Sequence, residues 1–541
     1  MIKQVSKKIK MIFSLAMLAS VVFIISCEIP SDPADILELR IDTNIFTHKG
    51  FIAAKDTKNQ ANLRGNILKA KFTIGGSQPA DIIVTEGGLI RAEINLKDGI
   101  GAFAVNPKYR GFTEPIQIDV QIYGTNYLTK NISVVIRPED SLTSIRTNVL
   151  NTTAVPSGVA VAQQSAPLAG GTNTTPVTVN TNTSTTNTTA QVTIPAENTF
   201  KDAAGNAITS GNLSAQVVYF DGSDNSANSS SINGDVKTLV DENGATLSNV
   251  SLAPVATADI NMTVGSTEVK QFGTPIEVTL DINGGFINPE TGSPVKVGEV
   301  FNIYSTSDNG NWAYQAKGTV VSNNGKLQVT FPTNHLSTFT LGTVVNKCDI
   351  NTSFIPLPNG GQGFETVYNG VFKKANGSTI NTTTVSKTTI SGISGLLIPN
   401  IPNEQANLVL TSQSNPSISI ETGLLGWCTS QPALDADSLN GLVLPGVTVQ
   451  VDISARCSGS SSIRPSGVVL YVDYLGDGNF TEIGVVQEGR ISIPGITLNR
   501  PYKLRVYYDG DSGDGTYTFT STNQVISDYE LPGDVCSELG I

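Results

Sequence analysis

Short runs in which apolar and polar residues alternate recur along almost the whole chain. Examples are SAQVVYF (Ser214–Phe220), TVQVDIS (Thr448–Ser454), YKLRVYY (Tyr502–Tyr508) and TYTFTST (Thr516–Thr522). Clusters of Gly, Asn and Asp separate them. A period of two sends successive side chains to opposite faces, which predicts half-buried β-strands joined by turns. No long stretch carries the 3.6-residue apolar period of an amphipathic helix. The pattern predicts an all-β fold, built as tandem β-sandwich domains.

Breaks in that pattern divide the chain. Residues 36–140 hold strand-like runs such as ADIIVTE (Ala80–Glu86) and EPIQIDVQIYG (Glu114–Gly124), and are read as an Ig-like β-sandwich. His48 falls in a loop-like FTHKGF and is expected to be solvated. Residues 141–190 are rich in Thr and Asn, and from 151 onward contain no aromatic residue. Such a segment offers little apolar surface against its chain entropy, so a flexible linker is expected. Strand patterns resume over 191–345. Two further β domains are expected over 346–444 and 445–541, the latter a sandwich with acidic turns. Together these suggest a stalk of sandwiches with one hinge.

The 541 residues suit three or four domains at roughly 150 residues each. The N-terminus adds an address. Lys3, Lys7, Lys8 and Lys10 precede the apolar run MIFSLAMLASVVFII, and Ile24-Ile25-Ser26-Cys27 follows. A basic region before a short apolar core is a signal-peptide pattern over 1–26. The IISC ending resembles a bacterial lipobox. That resemblance implies lipidation of Cys27, palmitate among the acyl groups, and a short tether over 27–35. No other apolar stretch reaches the ~20 residues of a spanning helix. The expectation is an outer-membrane lipoprotein of the cell envelope, surface-exposed and held to the membrane at Cys27. Setting aside the first 26 residues, with four lysines and no acid, leaves 30 basic against 46 acidic residues, a net of −16. Nucleic acid selects basic surfaces, so it is excluded as a partner.

Four cysteines remain: Cys348, Cys428, Cys457 and Cys536. In an exported chain an even set predicts two disulfides. Three pairings are open. Cys348–Cys428 with Cys457–Cys536 is favoured, since each pair then brackets one block of strands. Their spacing is wrong for a compact thiolate metal site.

Over 191–345 the chain presents VTIPA (Val192–Ala196), TEVKQFGTPIEVTL (Thr267–Leu280), NWAYQAKGTV (Asn311–Val320) and HLSTF (His335–Phe339), in that order. In this order they resemble the bacterial relatives of ZU-type and GAIN domains. The resemblance implies a candidate self-cleavage at Leu336–Ser337, with His335 as general base and Ser337 as nucleophile. A hydroxyl attacks its own backbone only when a base takes its proton and the fold strains the bond. The residues alone offer a second account: the triplet closes a sandwich, and alternation sets His335 and Ser337 on one strand face.

Three further features bear on ligands. Asp473–Asn479 and Asp509–Gly515 are acidic, glycine-rich turns. Asp509, Asp511 and Asp514 are the better calcium candidates, because calcium takes six to eight oxygens. Asp-Gly is equally a hairpin-turn signal. Tyr471, Tyr474, Tyr507, Tyr508 and Tyr517 could stack on a surface glycan or line a core. Asp140-Ser141-Leu142 and Asp437-Ser438-Leu439 resemble the O-glycosylation acceptor of Bacteroidota. No nucleotide loop, HExxH or Gly-x-Ser-x-Gly motif occurs, and no enzyme activity beyond autoproteolysis is expected. The role predicted is structural or adhesive. The alternatives are a carbohydrate-binding lipoprotein for polysaccharide uptake and a self-cleaving protein.

Overall fold

The computed structural model describes residues 48–530 apart from internal stretches, the longest being 457–468. Cys27, the signal segment 1–26 and the tether 27–35 lie outside the described residues, as do Asp140, Ser141, Cys457, Asp509 and Cys536. The described residues are almost entirely β, with only short helical turns between strands, and form four units.

The first unit is one eight-stranded sheet rather than two stacked sheets. Its strands run in the order 127–136, 116–124, 67–73, 93–97, 100–105, 49–56 and 142–149, with Ile83–Val84 added on 100–105. The sheet curls until its end strands meet, where Tyr127 bridges Asn151 and the Leu128 amide donates to the Leu150 carbonyl at 3.0 Å. Alternate residues of every strand, among them Ile52, Phe72, Leu96, Phe103 and Ile118, fill the enclosed core. Gly50 is needed here, since a Cβ at this position would lie 2.2 Å from the Phe103 ring. His48 is not solvated as expected. It is buried, packs on Phe112 with ring centroids 4.6 Å apart, and its Nε2 lies 2.9 Å from the Pro138 carbonyl oxygen.

The expected flexible linker over 141–190 is largely strand. Leu142–Val149 pairs in parallel with Lys49–Asp56 and completes the first sheet. Val159–Ala169 pairs with Asn212–Asp221, and Val177–Asn180 with Ala190–Ile194. The second unit therefore begins near Val159, not at 191. Composition misleads here because these strands borrow their apolar partners from distant sequence. Val177 and Val179 alternate with Thr178 and Asn180 and are buried in a core built mostly by residues 190–341. Asn173, also buried, donates from Nδ2 to the carbonyls of Thr175 (2.9 Å) and Pro195 (2.7 Å), and its Oδ1 accepts from the Asn198 amide. A polar side chain satisfied this way can be buried at low cost.

That second unit is a true sandwich. A ten-stranded and a six-stranded sheet face each other across Phe200, Tyr219, Ile260, Val278, Phe331 and Phe339. The third unit is one six-stranded sheet, spanning Thr352–Gly426, whose inner face packs on Trp427, Leu439 and Leu442. Cys348 and Cys428 are disulfide-bonded with Cα atoms 5.4 Å apart, joining the segments before and after that sheet. The fourth unit sets a three-stranded sheet against a four-stranded one around Val449, Val472, Ile493, Tyr502 and Phe519.

The units are not strung as a stalk. Phe51, Ala53 and Ile100 of the first unit pack with Val469, Tyr471 and Tyr507 of the fourth. Arg146 forms a two-armed ion pair with Glu482, Nε to Oε2 at 3.2 Å and Nη2 to Oε1 at 2.6 Å, both side chains largely buried. The Arg64 guanidinium donates to the Gly478 carbonyl at 2.6 Å. Between the first and second units, Leu150, Val159, Val218, Phe220 and Ala227 form a small core against which Val155 packs. The expected hinge is thus a packed joint.

Candidate functional site

His335 ends the strand Lys326–His335, and Leu336–Ser337 is the two-residue step to the next strand, Thr338–Asn346. The two strands belong to opposite sheets of the second unit. The step therefore crosses the sandwich, and the expected alternation stops at His335. The His335 ring is half-buried beside Phe339, 5.4 Å between centroids. Its Nε2 lies 3.4 Å from Ser305 Oγ and its Nδ1 3.2 Å from Thr333 Oγ1. Ser337 Oγ donates to the Thr306 carbonyl instead. The Leu336 amide donates to the Lys270 carbonyl at 3.0 Å, and the Ser337 carbonyl accepts from the Ile260 amide at 3.3 Å. Burial lowers the pKa of His335 from the ordinary 6.5, which favours the neutral ring. A neutral imidazole could serve as a base, yet its hydrogen bonds run to Ser305 and Thr333, not to Ser337.

The acidic turns hold their own backbone. Asp473 is buried, and its carboxylate accepts from the amides of Gly476 (2.7 Å) and Gly478 (2.9 Å). In the second turn, Tyr508 pairs with Asp511 across a two-residue hairpin. Asp514 lies further along the returning strand. Its carboxylate takes Nε and Nη2 of Arg505 at 2.6 and 2.7 Å. Of the calcium candidates, Asp509 lies outside the described residues, Asp511 is a paired hairpin residue, and Asp514 is committed to a guanidinium. Among the described residues no group of three or more His, Cys, Asp or Glu could hold a metal ion.

Of the two roles open to the tyrosines, burial favours the core for most of them. Tyr471 and Tyr507 pack edge to face, 5.4 Å apart, inside the contact between the first and fourth units. Tyr474 is in the fourth core, and its hydroxyl donates to the Pro494 carbonyl at 2.6 Å. Tyr517 is half-buried against Phe519. Burial raises the phenol pKa of Tyr471 and Tyr474 well above 10.0. Tyr471, Tyr474 and Tyr507 offer no open ring face for stacking. Of the glycosylation candidates, Asp437–Leu439 lies in the short helix Ala436–Leu439 with Ser438 exposed.

A different site emerges where three units meet. A cleft of about 510 Å³ opens between the first unit's end strands (Tyr127–Ile136 and Leu142–Val149), the outer face of the third unit's sheet, and the short helix Asn225–Ser230 of the second. The third-unit wall is a polar ladder. Thr411, Asn369 and Thr384 sit side by side on three adjacent strands, and Thr382 and Ser386 flank them on the same face. Opposite stand Lys130, Ser144, Arg146 and Asn148. Two sheets pack tightly only when apolar side chains interdigitate about 10 Å apart. Short hydroxyl and amide side chains leave that gap open. Within TINTTTVSKTTI (Thr379–Ile390), the polar series Thr382, Thr384, Ser386 and Thr388 is the sequence signal that marks this outer face. Nothing in the sequence indicates what stands opposite it.

No protein-family model matches the chain, and no curated protein matches it. Among solved structures it is similar to "The Bacillus anthracis TIE protein", at 6% identity over 85% of this chain and 67% of that chain, with a TM-score of 0.10. A score that low carries nothing about fold or function.

Proposed function

We propose that the protein is a lipid-anchored component of the bacterial cell envelope, held at Cys27, with a structural or adhesive role and no catalytic turnover. The observation that carries this reading is the Cys348–Cys428 bond. It joins cysteines 80 residues apart, and such bonds persist in oxidising compartments. An exported chain with one apolar N-terminal run is then held most simply through its lipobox-like cysteine. Two or more acyl chains are needed for firm anchoring, at about 0.8 kcal/mol per buried methylene. The units pack on one another, which suits the protein to presenting a surface. The bonding of His335 and Ser337 to other groups favours this role over self-cleavage.

Labelling cells that express the protein with radioactive palmitate provides the test. The label should enter the protein, and Cys27→Ala should abolish labelling and release the chain from the membrane fraction. An unlabelled wild-type chain that fractionates with the cytosol overturns the proposal.

A further inference from the structure

The first and last strands of the first unit, Lys49–Asp56 and Leu142–Val149, pair in parallel, and their register sets Lys55 beside Asn148. Neighbouring strands are about 4.8 Å apart, so the two side chains stand within reach of each other. Alternation sends Ile52, Ala54, Ile145 and Val149 into the first core. It turns Phe51, Ala53, Lys55, Arg146 and Asn148 the other way, towards the third and fourth units. Lys55 and Asn148 line a pocket of about 40 Å³ with Val367 and Gln413 of the third unit and Tyr471 and Glu482 of the fourth.

Behind that pocket is a third group. Glu365 is fully buried, and its carboxylate accepts from Ser412 Oγ and from the Gln413 amide, the latter at 3.0 Å. Its charge acts on Lys55, yet no hydrogen bond or ion pair from the described residues reaches the Lys55 Nζ. Burial holds that amine below its usual 10.5, against the opposing pull of Glu365. A desolvated lysine of this kind is shifted towards its neutral, nucleophilic form. Arg146 is already matched by Glu482 and does not compete for Glu365.

We propose that Lys55 and Asn148 join in an intramolecular amide bond, formed once in the folded chain with Glu365 as proton shuttle. The ammonium first gives its proton to the Glu365 carboxylate. The neutral Nζ then attacks Cγ of Asn148. The Nζ–Cγ bond forms, the Cγ–Nδ2 bond breaks, and Nδ2 leaves as ammonia. Glu365 passes its proton to Nδ2 and takes one from Nζ, so one proton moves between the two nitrogens. Nothing is oxidised or reduced, and no co-reactant enters. An amide carbon is open to attack whatever hydrogen bonds its oxygen and nitrogen make. Holding amine and amide side by side in a small pocket turns a slow encounter into a local one. The bond ties the unit's first strand to its last by a link that reductant does not cut. This inference stands or falls separately from the anchor at Cys27.

Mass spectrometry of the purified full-length chain tests it. Tryptic digests of the wild type should hold a branched peptide joining Lys55 to Asn148, lighter than its two parts by one ammonia and uncut after Lys55. Lys55→Arg, whose guanidinium stays protonated, and Asn148→Ala should each lose that peptide. Both should melt at a lower temperature, since a tie between distant positions constrains the unfolded chain. Glu365→Gln should keep its strand signal in circular dichroism and leave the two residues unjoined. The wild-type digest decides even where a variant fails to fold. The proposal is overturned if the folded wild type yields Lys55 and Asn148 in separate peptides. It is overturned equally if the joined peptide survives in Asn148→Ala, or if folded Glu365→Gln links as the wild type does.

Discussion

Glu482 and Arg146 are 336 residues apart in sequence and form a two-armed ion pair with little solvent access. Removing one partner from such a pair leaves an uncompensated buried charge, which costs about 3–5 kcal/mol. Glu482→Ala is expected to lower the unfolding free energy by that order, read as a fall in the denaturant midpoint at unchanged slope, whereas mutating an exposed pair such as Lys69–Glu93 should leave the midpoint nearly unchanged. A double-mutant cycle on Arg146 and Glu482 measures the coupling. His335 makes a prediction in pH. Its folded pKa lies below the unfolded 6.5, so the unfolded chain binds more protons between the two values. Stability should therefore fall as pH drops through 6.5 towards the lowered value, and His335→Gln should remove that slope. Thermal melts from pH 8 to 4 check it. Mass spectrometry of the same samples should return one chain with no fragment ending at Leu336.

At the scale of elements, the third unit illustrates how a single sheet is kept whole. One face of its sheet is covered by a turn carrying Trp427, whose Nε1 donates to the Ala406 carbonyl at 2.8 Å, and by the segment Ala436–Leu442. The adjacent Cys348–Cys428 bond closes a loop of 80 residues. Closing a loop of that size in the unfolded chain is worth about 4 kcal/mol. Cys428→Ser is expected to cost that order, read as a fall in melting temperature that matches the effect of reductant on the wild type. The Leu142–Val149 and Val159–Ala169 strands make a second prediction. Proteinase K should cut within Leu142–Val149 and Val159–Ala169 no faster than within other strands, because these two strands are held in ladders to Lys49–Asp56 and Asn212–Asp221. Rapid cleavage confined to these strands would contradict the packed joint.

Across the whole molecule, the contact between the first and last units closes the chain on itself. Phe51, Tyr471 and Tyr507 are its apolar centre and Arg146–Glu482 its charged edge. A charge placed at the centre cannot be solvated there without separating the units. Phe51→Glu should raise the radius of gyration in small-angle scattering while leaving each unit's strand signal intact in circular dichroism. The same opening would pull the first unit's strands away from the third unit's ladder and widen the cleft.

Alternation along runs such as Ser214–Phe220 and Tyr502–Tyr508 was enough to determine an all-β chain of several units, because a period of two depends only on local backbone geometry. The sequence favoured Cys348–Cys428 among three open pairings, and the fold brings the two together. Tertiary structure alone decided the fate of 141–190, whose sparse valines become core only when strands from distant sequence supply the other side. It likewise decided that His48, Tyr471 and Tyr507 are buried and that Arg146 meets Glu482. Alternation says which residues share a face but not what that face meets, and burial is a property of the meeting.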